Sequence, residues 1–460
     1  MAPKFGTSGL RGLVSELTDG LCAGYVEAFI RSVQHQGHLM IGRDLRPSSA
    51  RIAGAVASAA QNLGLTAHDL GEVSTPALAL AAMSAGAPSV MVTGSHIPAD
   101  RNGLKFYTAT GEITKADEAA ILAGYKGEVA LPAASLRAEH GAMQAYADRY
   151  VRAFPPGALA GLRIGIYQHS TVARDLLVEV VQALGAEALP LGRSDRFIPV
   201  DTEAVSIETR DLVARWAKQH QLDAIISADG DADRPLMADA DGAVIPGDIL
   251  GLLTARALGA KIVVTPVSSN TMIEKSDAFA EVIRTRIGSP HVIAGMGDKP
   301  GQRVVGFEAN GGFLLGFTAQ GPTGELAPLM TRDALLPLLM PLYEAARHAR
   351  PLGALIADLP ARRTASDRLQ DVDSARSMAL IATLSADRAA RAVFFDTIGI
   401  ESDYDLTDGL RVTFDTGAIV HLRPSGNAPE LRVYAEANSQ WAADVALSLG
   451  LARAQEALSV

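Results

Sequence analysis

Three aspartates at alternate positions form the most chemically suggestive group in this chain. Asp229, Asp231 and Asp233 stand in the segment DGDADR, directly after an apolar run over residues 222–227 that is typical of a buried strand. Carboxylates gathered on one turning loop repel one another unless a cation lies between them, and oxygen ligands of this kind suit Mg2+. The segment therefore predicts a magnesium site, with a solvated acidic turn as the alternative.

A serine in a tight loop offers a second reactive group. In VMVTGSHIPADRNGLKFY, residues 90–107, Ser95 follows a short apolar strand and precedes His96, with Lys105 shortly beyond. A loop serine could attack phosphorus or carry phosphate, and the imidazole and ammonium groups can donate to phosphate oxygens. Spacing alone leaves a plain loop serine as an equal alternative. Ser-His-Asp hydrolysis is disfavoured because this segment lacks the GxSxG pattern.

Two later segments carry groups that suit a phosphorylated sugar. In VVGFEANGGFLLG, residues 304–316, Glu308 and Asn310 offer an acceptor and an amide to sugar hydroxyls, although a hairpin with an Asn-Gly turn explains the same letters better. The segment HLRPSGNAPELRVYAEA, residues 421–437, supplies fork donors, a hydroxyl and free backbone amides that fit a dianionic phosphate. A turn with surface arginines is about equally compatible with it. The phosphate-binding candidates of this second segment are Arg423, Ser425, Gly426, Asn427 and Arg432.

Further charged residues flank other predicted strands. Arg11 lies in FGTSGLRG, and Arg43 with Asp44 lies in IGRDLRPSS. Either group could be structural ion-pair residues, and for Arg43 with Asp44 this is the favoured interpretation. Walker A and GxGxxG patterns are missing, so nucleotide-driven chemistry has no support.

Composition narrows the class of protein. The chain has 460 residues, 41 Lys plus Arg against 51 Asp plus Glu, and a formal net charge of −10, which disfavours a nucleic-acid partner. Cys22 is the only cysteine, so neither an intramolecular disulfide nor a cysteine-based metal cluster can form. The N-terminal residues lack the apolar core of a signal peptide, and the apolar stretch over 334–340 is too short to cross a bilayer. We expect a cytoplasmic protein without a membrane partner.

The elements that must position these groups follow a repeated order. Apolar runs over 39–41, 162–166 and 261–265 predict buried strands, each followed by a polar loop and a helical pattern, as in the helices predicted over 50–63 and 176–184. The last hundred residues differ: runs over 410–414, 418–422 and 431–435 predict antiparallel strands, with a helix over 442–457. We expect three related α/β domains with mixed sheets and a smaller C-terminal α+β domain. The predicted domains are 1–155, 156–252, 253–365 and 366–460.

In this order, the segments FGTSGLRG, TGSHIPADRNGLK, DGDADR, FEANGG and RPSGNAPELRVY resemble those of the α-D-phosphohexomutase superfamily, and its phosphomannomutase/phosphoglucomutase branch in particular. The resemblance covers essentially the whole chain. It implies a heart-shaped, four-domain enzyme around a central cleft, which moves a phosphoryl group between two hydroxyls of a hexose phosphate. The route passes through a phosphoserine and a hexose 1,6-bisphosphate, which also serves as activator.

The resemblance also implies roles for single residues. Ser95 would be the phosphoserine and would hold Mg2+ together with the three aspartates, while Glu308 and Asn310 would bind sugar hydroxyls. The groups around the transferring phosphoryl would be Arg11, His96, Lys105 and Arg234. The non-reacting phosphate would be held by Arg423, Ser425, Gly426, Asn427 and Arg432, with Arg286 as a weaker match in the third domain.

The spellings TGSHIP and EANGG are most similar to bacterial phosphomannomutases, so a mannose phosphate is the expected substrate. Phosphoglucomutase and phosphoglucosamine mutase activities are the alternatives within the fold. A metal-dependent sugar phosphatase and a non-catalytic sugar-phosphate binding protein are alternatives of other classes. A monomer or weak homodimer is expected.

Overall fold

The computed structural model describes residues 3–6, 9–131, 137–424 and 430–458. The first sheet has eight strands: β1 (Lys4–Phe5), β2 (Leu10–Leu13), β3 (His38–Arg43), β4 (Thr66–Glu72), β5 (Ser89–Val92), β6 (Arg101–Thr108), β7 (Gly111–Glu112) and β8 (Arg137–Ala138). The accompanying helices are α1 (Asp19–Ser32), α2 (Ser49–Asn62), α3 (Thr75–Ser84), α4 (Lys115–Gly124) and α5 (Ala142–Val151).

Two five-stranded sheets follow. The second sheet contains β9 (Arg163–Tyr167), β10 (Glu187–Leu191), β11 (Ala224–Ala228), β12 (Pro235–Ala238) and β13 (Val244–Ile245), with α6 (Arg174–Ala183), α7 (Ile207–His220) and α8 (Gly247–Ala257). The third sheet and its surroundings contain β14 (Ile262–Pro266), β15 (Glu281–Thr285), β16 (Val304–Phe307), β17 (Phe313–Leu315), the separate ribbon β18 (Ala319–Gln320) and β19 (Glu325–Leu326), and β20 (Leu329–Asp333). Its helices are α9 (Met272–Lys275), α10 (Ser289–Gly297), α11 (Leu335–His348) and α12 (Leu352–Ala357).

The three sheets share one pattern of pairing, as the three predicted α/β units require. In each sheet three parallel strands are followed by two antiparallel ones, in the orders β4-β3-β5-β6-β2, β10-β9-β11-β12-β13 and β15-β14-β16-β17-β20. The connection from the third parallel strand to the first antiparallel one carries a predicted site in every case. These connections are residues 93–100, 229–234 and 308–312. The repeated topology therefore places three chemically different loops at equivalent positions.

The last sheet is fully antiparallel. Its strands are β21 (Arg363–Gln370), β22 (Glu401–Asp405), β23 (Leu410–Phe414), β24 (Ile419–Pro424) and β25 (Glu430–Ala437), in the order β21-β25-β24-β23-β22. Its helices are α13 (Ser374–Ala386), α14 (Arg388–Phe394) and α15 (Gln440–Leu458). The expected α/β class with a terminal α+β unit is confirmed. The predicted division at 365/366 falls within β21 and the one at 252/253 within α8, and the limits of the domains stay a prediction.

The second and third sheets share a hydrophobic core. One cluster of buried side chains runs from Ile164 and Ile226 in the second sheet to Val263 and Phe307 in the third. Close packing of this kind restrains the relative movement of the two sheets and of the loops that they carry. Among the described residues, no helix is both long and apolar enough to cross a membrane.

Candidate active site

The loop between β5 and β6 holds Ser95 in an unusual backbone conformation. Ser95 has φ of +54°, a left-handed value that is uncommon for a residue with a side chain, and it is fully buried. Its Oγ donates to Oδ2 of Asp229 at 2.5 Å, and its amide donates to Oγ1 of Thr93 at 2.8 Å. The loop therefore aims the serine hydroxyl directly at the aspartate cluster of the second sheet.

Arg46, which sequence reasoning missed, anchors this loop. Its guanidinium donates to the carbonyls of Ser95 at 3.0 Å and Ile97 at 2.5 Å, and to two further carbonyls of the same segment, those of Pro98 and Arg101. Asp44 accepts from its Nε at 3.1 Å. Both side chains of this ion pair are fully buried. The only sequence signal was the position of Arg46 in RPSS, shortly after the end of β3 at Arg43.

Gly94 lets Arg46 approach the loop that carries Ser95, and Gly230 lets the loop of the three aspartates approach it. A Cβ at Gly94 would lie 2.7 Å from the guanidinium carbon of Arg46, and one at Gly230 would lie 2.9 Å from the carbonyl oxygen of Ser95. Both distances are too short for a side chain. The ring of Phe197 covers the Arg46 guanidinium at 4.0 Å and also borders Gly230. The serine loop and the aspartate loop are thus packed together as one unit.

The aspartate loop is folded by its own first carboxylate. Oδ1 of Asp229 accepts from the backbone amides of Asp233 and Arg234 at 3.1 and 3.2 Å, and Ala232 adopts φ of +56°. This turn brings one carboxylate oxygen of each of Asp229, Asp231 and Asp233 within 4.8 Å of the others. The predicted convergence of the three aspartates is present, and all three are fully buried.

Lys105 neutralises part of this cluster. Its Nζ donates to Oδ2 of Asp231 and Oδ2 of Asp233, each at 2.5 Å, so its ammonium is buried between two carboxylates. Burial and the neighbouring carboxylates of Asp231 and Asp233 raise the pKa of Asp229 well above its usual range. Burial also acts to raise the pKa of Asp231, but the nearby cations, Lys105 above all, hold it below its usual range.

The donor set fits Mg2+. The second oxygens of Asp231 and Asp233, both Oδ1, are buried without a hydrogen-bond partner among the described residues. Buried polar atoms without partners are rare and costly in proteins. Hard carboxylate oxygens left open in one cluster are what a small divalent cation requires.

Cationic groups line the same space. Nη1 of Arg234 lies 2.8 Å from Nδ1 of His96, and because a guanidinium can only donate, this ring nitrogen must accept and be unprotonated. Burial, followed by the charges of Arg234, Arg11 and Lys105, holds the pKa of His96 well below its usual range. Burial and the charge of Arg234 lower the pKa of Arg11 to about 10. Four predicted residues therefore meet here, with His96 as a neutral imidazole.

The loop between β16 and β17 is the predicted hairpin. Gly311 adopts φ of +85°, and Oδ1 of Asn310 accepts from the amide of Gly312 at 3.1 Å. Glu308 is buried, and its Oε1 has no hydrogen-bond partner among the described residues. The hairpin and the sugar-site interpretation are thus compatible: one side chain shapes the turn, and the buried acceptor beside it has an ion-pair partner, Nη1 of Arg332 at 3.8 Å, but accepts no hydrogen bond from the described residues.

Arg332 and Thr75 also reach the aspartates, and sequence reasoning assigned neither. Nη2 of Arg332 lies 3.1 Å from Oδ2 of Asp233. Thr75, at the start of α3, donates through Oγ1 to Oδ2 of Asp231 at 2.5 Å. Both contacts link residues more than ninety positions apart, which no local pattern could reveal.

Glu203 is another residue that was not predicted. It lies in the connection after β10, where the charges of Arg234, Arg432 and Glu308 all act on it. Burial raises its pKa to about 7. No local motif marked this residue.

The fourth predicted segment lies at the contact of the last two sheets. Arg423 donates through Nε to Oδ2 of Asp408 at 2.9 Å, and the same oxygen accepts from the amide of Ile287 at 3.0 Å. Arg286 donates to the carbonyl of Thr407 at 3.1 Å. The Nε of Arg432 is buried without a hydrogen-bond partner among the described residues. Three candidates of this segment lie outside the described residues: Ser425, Gly426 and Asn427.

Arg43 and Asp44 each form an ion pair, as predicted, but not with each other. Arg43 pairs with Asp69 on the neighbouring strand at 2.9 Å, and Asp44 pairs with Arg46. Successive residues of an extended strand point to opposite faces, so adjacent side chains cannot readily meet. Both remain structural ion-pair residues.

Comparison with known domain families matches the chain along nearly its whole length. Residues 2–130 match the family described as phosphoglucomutase/phosphomannomutase, alpha/beta/alpha domain I. Residues 144–242 match domain II, residues 246–362 match domain III, and residues 368–447 match the C-terminal domain of the same description.

Full-length relatives agree with this assignment. The chain is 46% identical to the phosphomannomutase of Sinorhizobium fredii, over 98% of each chain. It is also 46% identical to the phosphomannomutase of Salmonella muenchen, over 95% of this chain and 92% of the relative. A solved phosphoglucomutase/phosphomannomutase family protein from Burkholderia thailandensis superposes with a TM-score of 0.76 at 21% identity, over 98% of this chain and 97% of that chain.

Proposed function

This chain belongs to the phosphoglucomutase/phosphomannomutase family, and we propose that it is a phosphomannomutase that interconverts mannose 6-phosphate and mannose 1-phosphate. The proposed route passes through a phosphoserine at Ser95 and a hexose 1,6-bisphosphate. The choice of mannose rests on the 46% identity to phosphomannomutases over nearly full length. Activity on glucose or glucosamine phosphates is the alternative.

One contact carries the catalytic part of the proposal. The hydroxyl of Ser95 lies 2.5 Å from Oδ2 of Asp229, within a fully buried set of three carboxylates. A serine that carries phosphate needs a cation beside it, because the transferring group has charge spread over three oxygens. If Ser95 only shaped its loop, its hydroxyl would have no need to contact a cluster of carboxylates that can hold a metal ion.

The proposed roles follow from the geometry of the charged groups. Asp229, Asp231, Asp233 and a phosphate oxygen on Ser95 would hold Mg2+, which when bound neutralises charge on the transferring phosphoryl group. Lys105, Arg11 and Arg234 are placed to donate to the phosphoryl oxygens. The neutral imidazole of His96, whose Nδ1 accepts from Arg234, keeps its proton at Nε2 and can donate from that atom.

The remaining residues are proposed to orient the sugar. Oε1 of Glu308, which accepts no hydrogen bond from the described residues, would accept one from a sugar hydroxyl, and Asn310 would hold the turn that places it. Arg423 and Arg432, with residues 425–427, would bind the phosphate that does not react. Because the bisphosphate must turn around between the two transfers, one phosphate site has to serve both orientations.

Exclusion of water separates a mutase from a phosphatase. Ser95 and the three aspartates have no exposed surface, so a phosphoryl group on Ser95 is kept from bulk water. This burial supports the mutase over a metal-dependent sugar phosphatase. We also propose that a hexose 1,6-bisphosphate activates the enzyme by phosphorylating Ser95. The cytoplasmic location and the monomeric or weakly dimeric state stay predictions.

The test compares three activities of the purified chain with Mg2+ and a trace of hexose 1,6-bisphosphate. Coupled assays measure conversion of mannose 1-phosphate and of glucose 1-phosphate, and a third assay measures release of inorganic phosphate. We expect the mannose ester to give the highest kcat/KM and phosphate release to be far slower. Faster conversion of glucose 1-phosphate would change the assigned sugar, and phosphate release that outran isomerisation would make the protein a phosphatase.

A further inference from the structure

Arg332 is the largest fully buried side chain in the described part of the chain, although it carries a charge. It lies in β20, in the apolar segment LMTRDALL. Burying a guanidinium without partners is very unfavourable, so such a residue is held by carboxylates or hydrogen bonds. The contacts of Arg332 therefore indicate what it is for.

Each nitrogen of its guanidinium faces a carboxylate from a different sheet or loop. Nη2 lies 3.1 Å from Oδ2 of Asp233, Nη1 lies 3.8 Å from Oε1 of Glu308, and Nε lies 3.3 Å from Oε1 of Glu112. The three partners belong to the second, third and first sheets or their connections. A planar guanidinium keeps its donors at fixed angles, so it can set the relative positions of several carboxylates at once.

The surroundings leave this arrangement little freedom. Glu112 also accepts from Oγ of Ser289 at 2.7 Å, which holds one anchor of the arginine in place. Gly312, at the end of the loop over residues 308–312, has no Cβ, and one there would lie 2.9 Å from Cγ and Cδ of Arg332. The stem of the arginine thus passes directly beside the hairpin that carries Glu308.

We propose that Arg332 is a positioning residue for the mutase reaction: it fixes the sugar-binding carboxylate of Glu308 relative to the metal-binding carboxylate of Asp233. This sets where a sugar hydroxyl lies with respect to the phosphoryl group on Ser95. The kinetic part of this inference rests on the proposed function. The role differs from phosphate binding, because the guanidinium is already occupied by three protein carboxylates.

Two variants separate charge from geometry. Arg332→Met keeps the length of the stem but removes the charge and all three donors. Arg332→Lys keeps a charge, but one ammonium cannot span three carboxylates. The matched control is Arg391→Met in α14, which accompanies the last sheet, because Arg391 is also buried and forms a two-point pair with Glu401 of β22 at 2.6 and 2.9 Å.

The expected kinetic result is a loss of kcat of about 100-fold for Arg332→Met, the scale of an error of about 1 Å in alignment. Arg332→Lys should still lower kcat about tenfold relative to the wild-type chain, with KM changed less than kcat. It should also raise the ratio of phosphate release to isomerisation. Arg391→Met should lower the melting temperature and leave kcat unchanged. Arg332→Lys with wild-type kcat, or Arg332→Met with only a lower melting temperature, would overturn the proposal.

Titration with Mn2+, followed by electron paramagnetic resonance, gives a readout that needs no turnover. Removing the positive charge beside Asp233 should tighten Mn2+ binding about three- to tenfold in Arg332→Met, and Arg332→Lys should restore the wild-type affinity. If Arg332 only stabilised the fold, Arg332→Met would instead bind Mn2+ more weakly than the wild-type chain. That result would count against a positioning role. If the wild-type chain binds Mn2+ but does not isomerise hexose phosphates, the proposed function fails while this titration still tests Arg332.

Discussion

The hydroxyl of Ser95 donates a 2.5 Å hydrogen bond to Oδ2 of Asp229, a residue 134 positions further along the chain. The two residues occupy equivalent connections of two sheets that share one pairing order. Repetition of one topology therefore brings Ser95, the proposed phosphate carrier, against the cluster of three aspartates. The loop over residues 308–312, which is proposed to bind the sugar, occupies the third equivalent position.

Removal of one carboxylate from the triad should disable the metal site. We expect Asp231→Asn to weaken Mn2+ affinity by at least about tenfold and to lower the Mg2+-dependent kcat by about 100-fold, since a hard cation loses a charged ligand. Chelation should likewise abolish turnover of the wild-type chain, and added Mg2+ should restore it. Mn2+ titration and the mannose 1-phosphate assay measure both effects.

Asp241 provides the matched control for that change. It is exposed in the turn between β12 and β13, where Asp239 shapes the hairpin through the amides of Asp241 and Ala243. Asp241→Asn should leave both metal affinity and kcat unchanged. If Asp231→Asn and Asp241→Asn lost metal affinity equally, the overall negative charge of this region, and not the three aspartates, would attract the metal.

Arg46 should matter for the orientation of the serine loop. Arg46→Met leaves three loop carbonyls and that of Arg101 without their donor and the carboxylate of Asp44 without its ion-pair partner, so we expect a loss of about 3–5 kcal/mol in the free energy of unfolding. The kcat of the fraction that remains folded should fall while KM for mannose 1-phosphate changes little, because the loop rather than the sugar site is disturbed. Urea unfolding and steady-state kinetics measure these effects. Unchanged kcat in the folded variant would show that Ser95 holds its conformation without this arginine.

Two buried histidines should make the folded chain sensitive to acid. Burial lowers the pKa of His169 and of His421 to about 4 each. Between pH 6.5 and about 4 the unfolded chain takes up protons that the folded chain does not bind, so stability is complete above pH 6.5 and falls as the pH drops through this window. Each histidine accounts for up to about 3 kcal/mol of this loss.

Substitution of these histidines tests the assignment. His421→Gln, which can still donate to the carbonyl of Asp408, should make the urea midpoint less dependent on pH between 6.5 and 4. The exposed His348, replaced in the same way, serves as the control and should leave the slope as it is. A midpoint that stayed constant over this range in the wild-type chain would contradict the pKa assignment.

The strand ends and their polar loops were predictable from sequence because both are local signals. The strand predicted over 410–414 agrees fully with β23, and the three aspartates converge as their alternate spacing indicates. Long-range partners were not predictable. Lys105 meets Asp231 from 126 positions away, and Arg332 stands in an apolar segment without any local sign of three carboxylate partners. Such contacts depend on how whole sheets pack, which residue spacing does not encode.

The most direct test of the central claim follows phosphate on Ser95. The chain is incubated with mannose 1,6-bisphosphate and Mg2+, digested and analysed by mass spectrometry, before and after addition of mannose 6-phosphate. The control is Ser89→Ala, since the buried Oγ of Ser89 in β5 has no hydrogen-bond partner among the described residues. We expect phosphate on Ser95 in the wild-type chain and in this control, and its transfer back to the sugar after mannose 6-phosphate is added. Ser95→Ala should lose turnover by at least about 1000-fold. Phosphate on another residue, or full turnover of Ser95→Ala with bisphosphate present, would contradict the account.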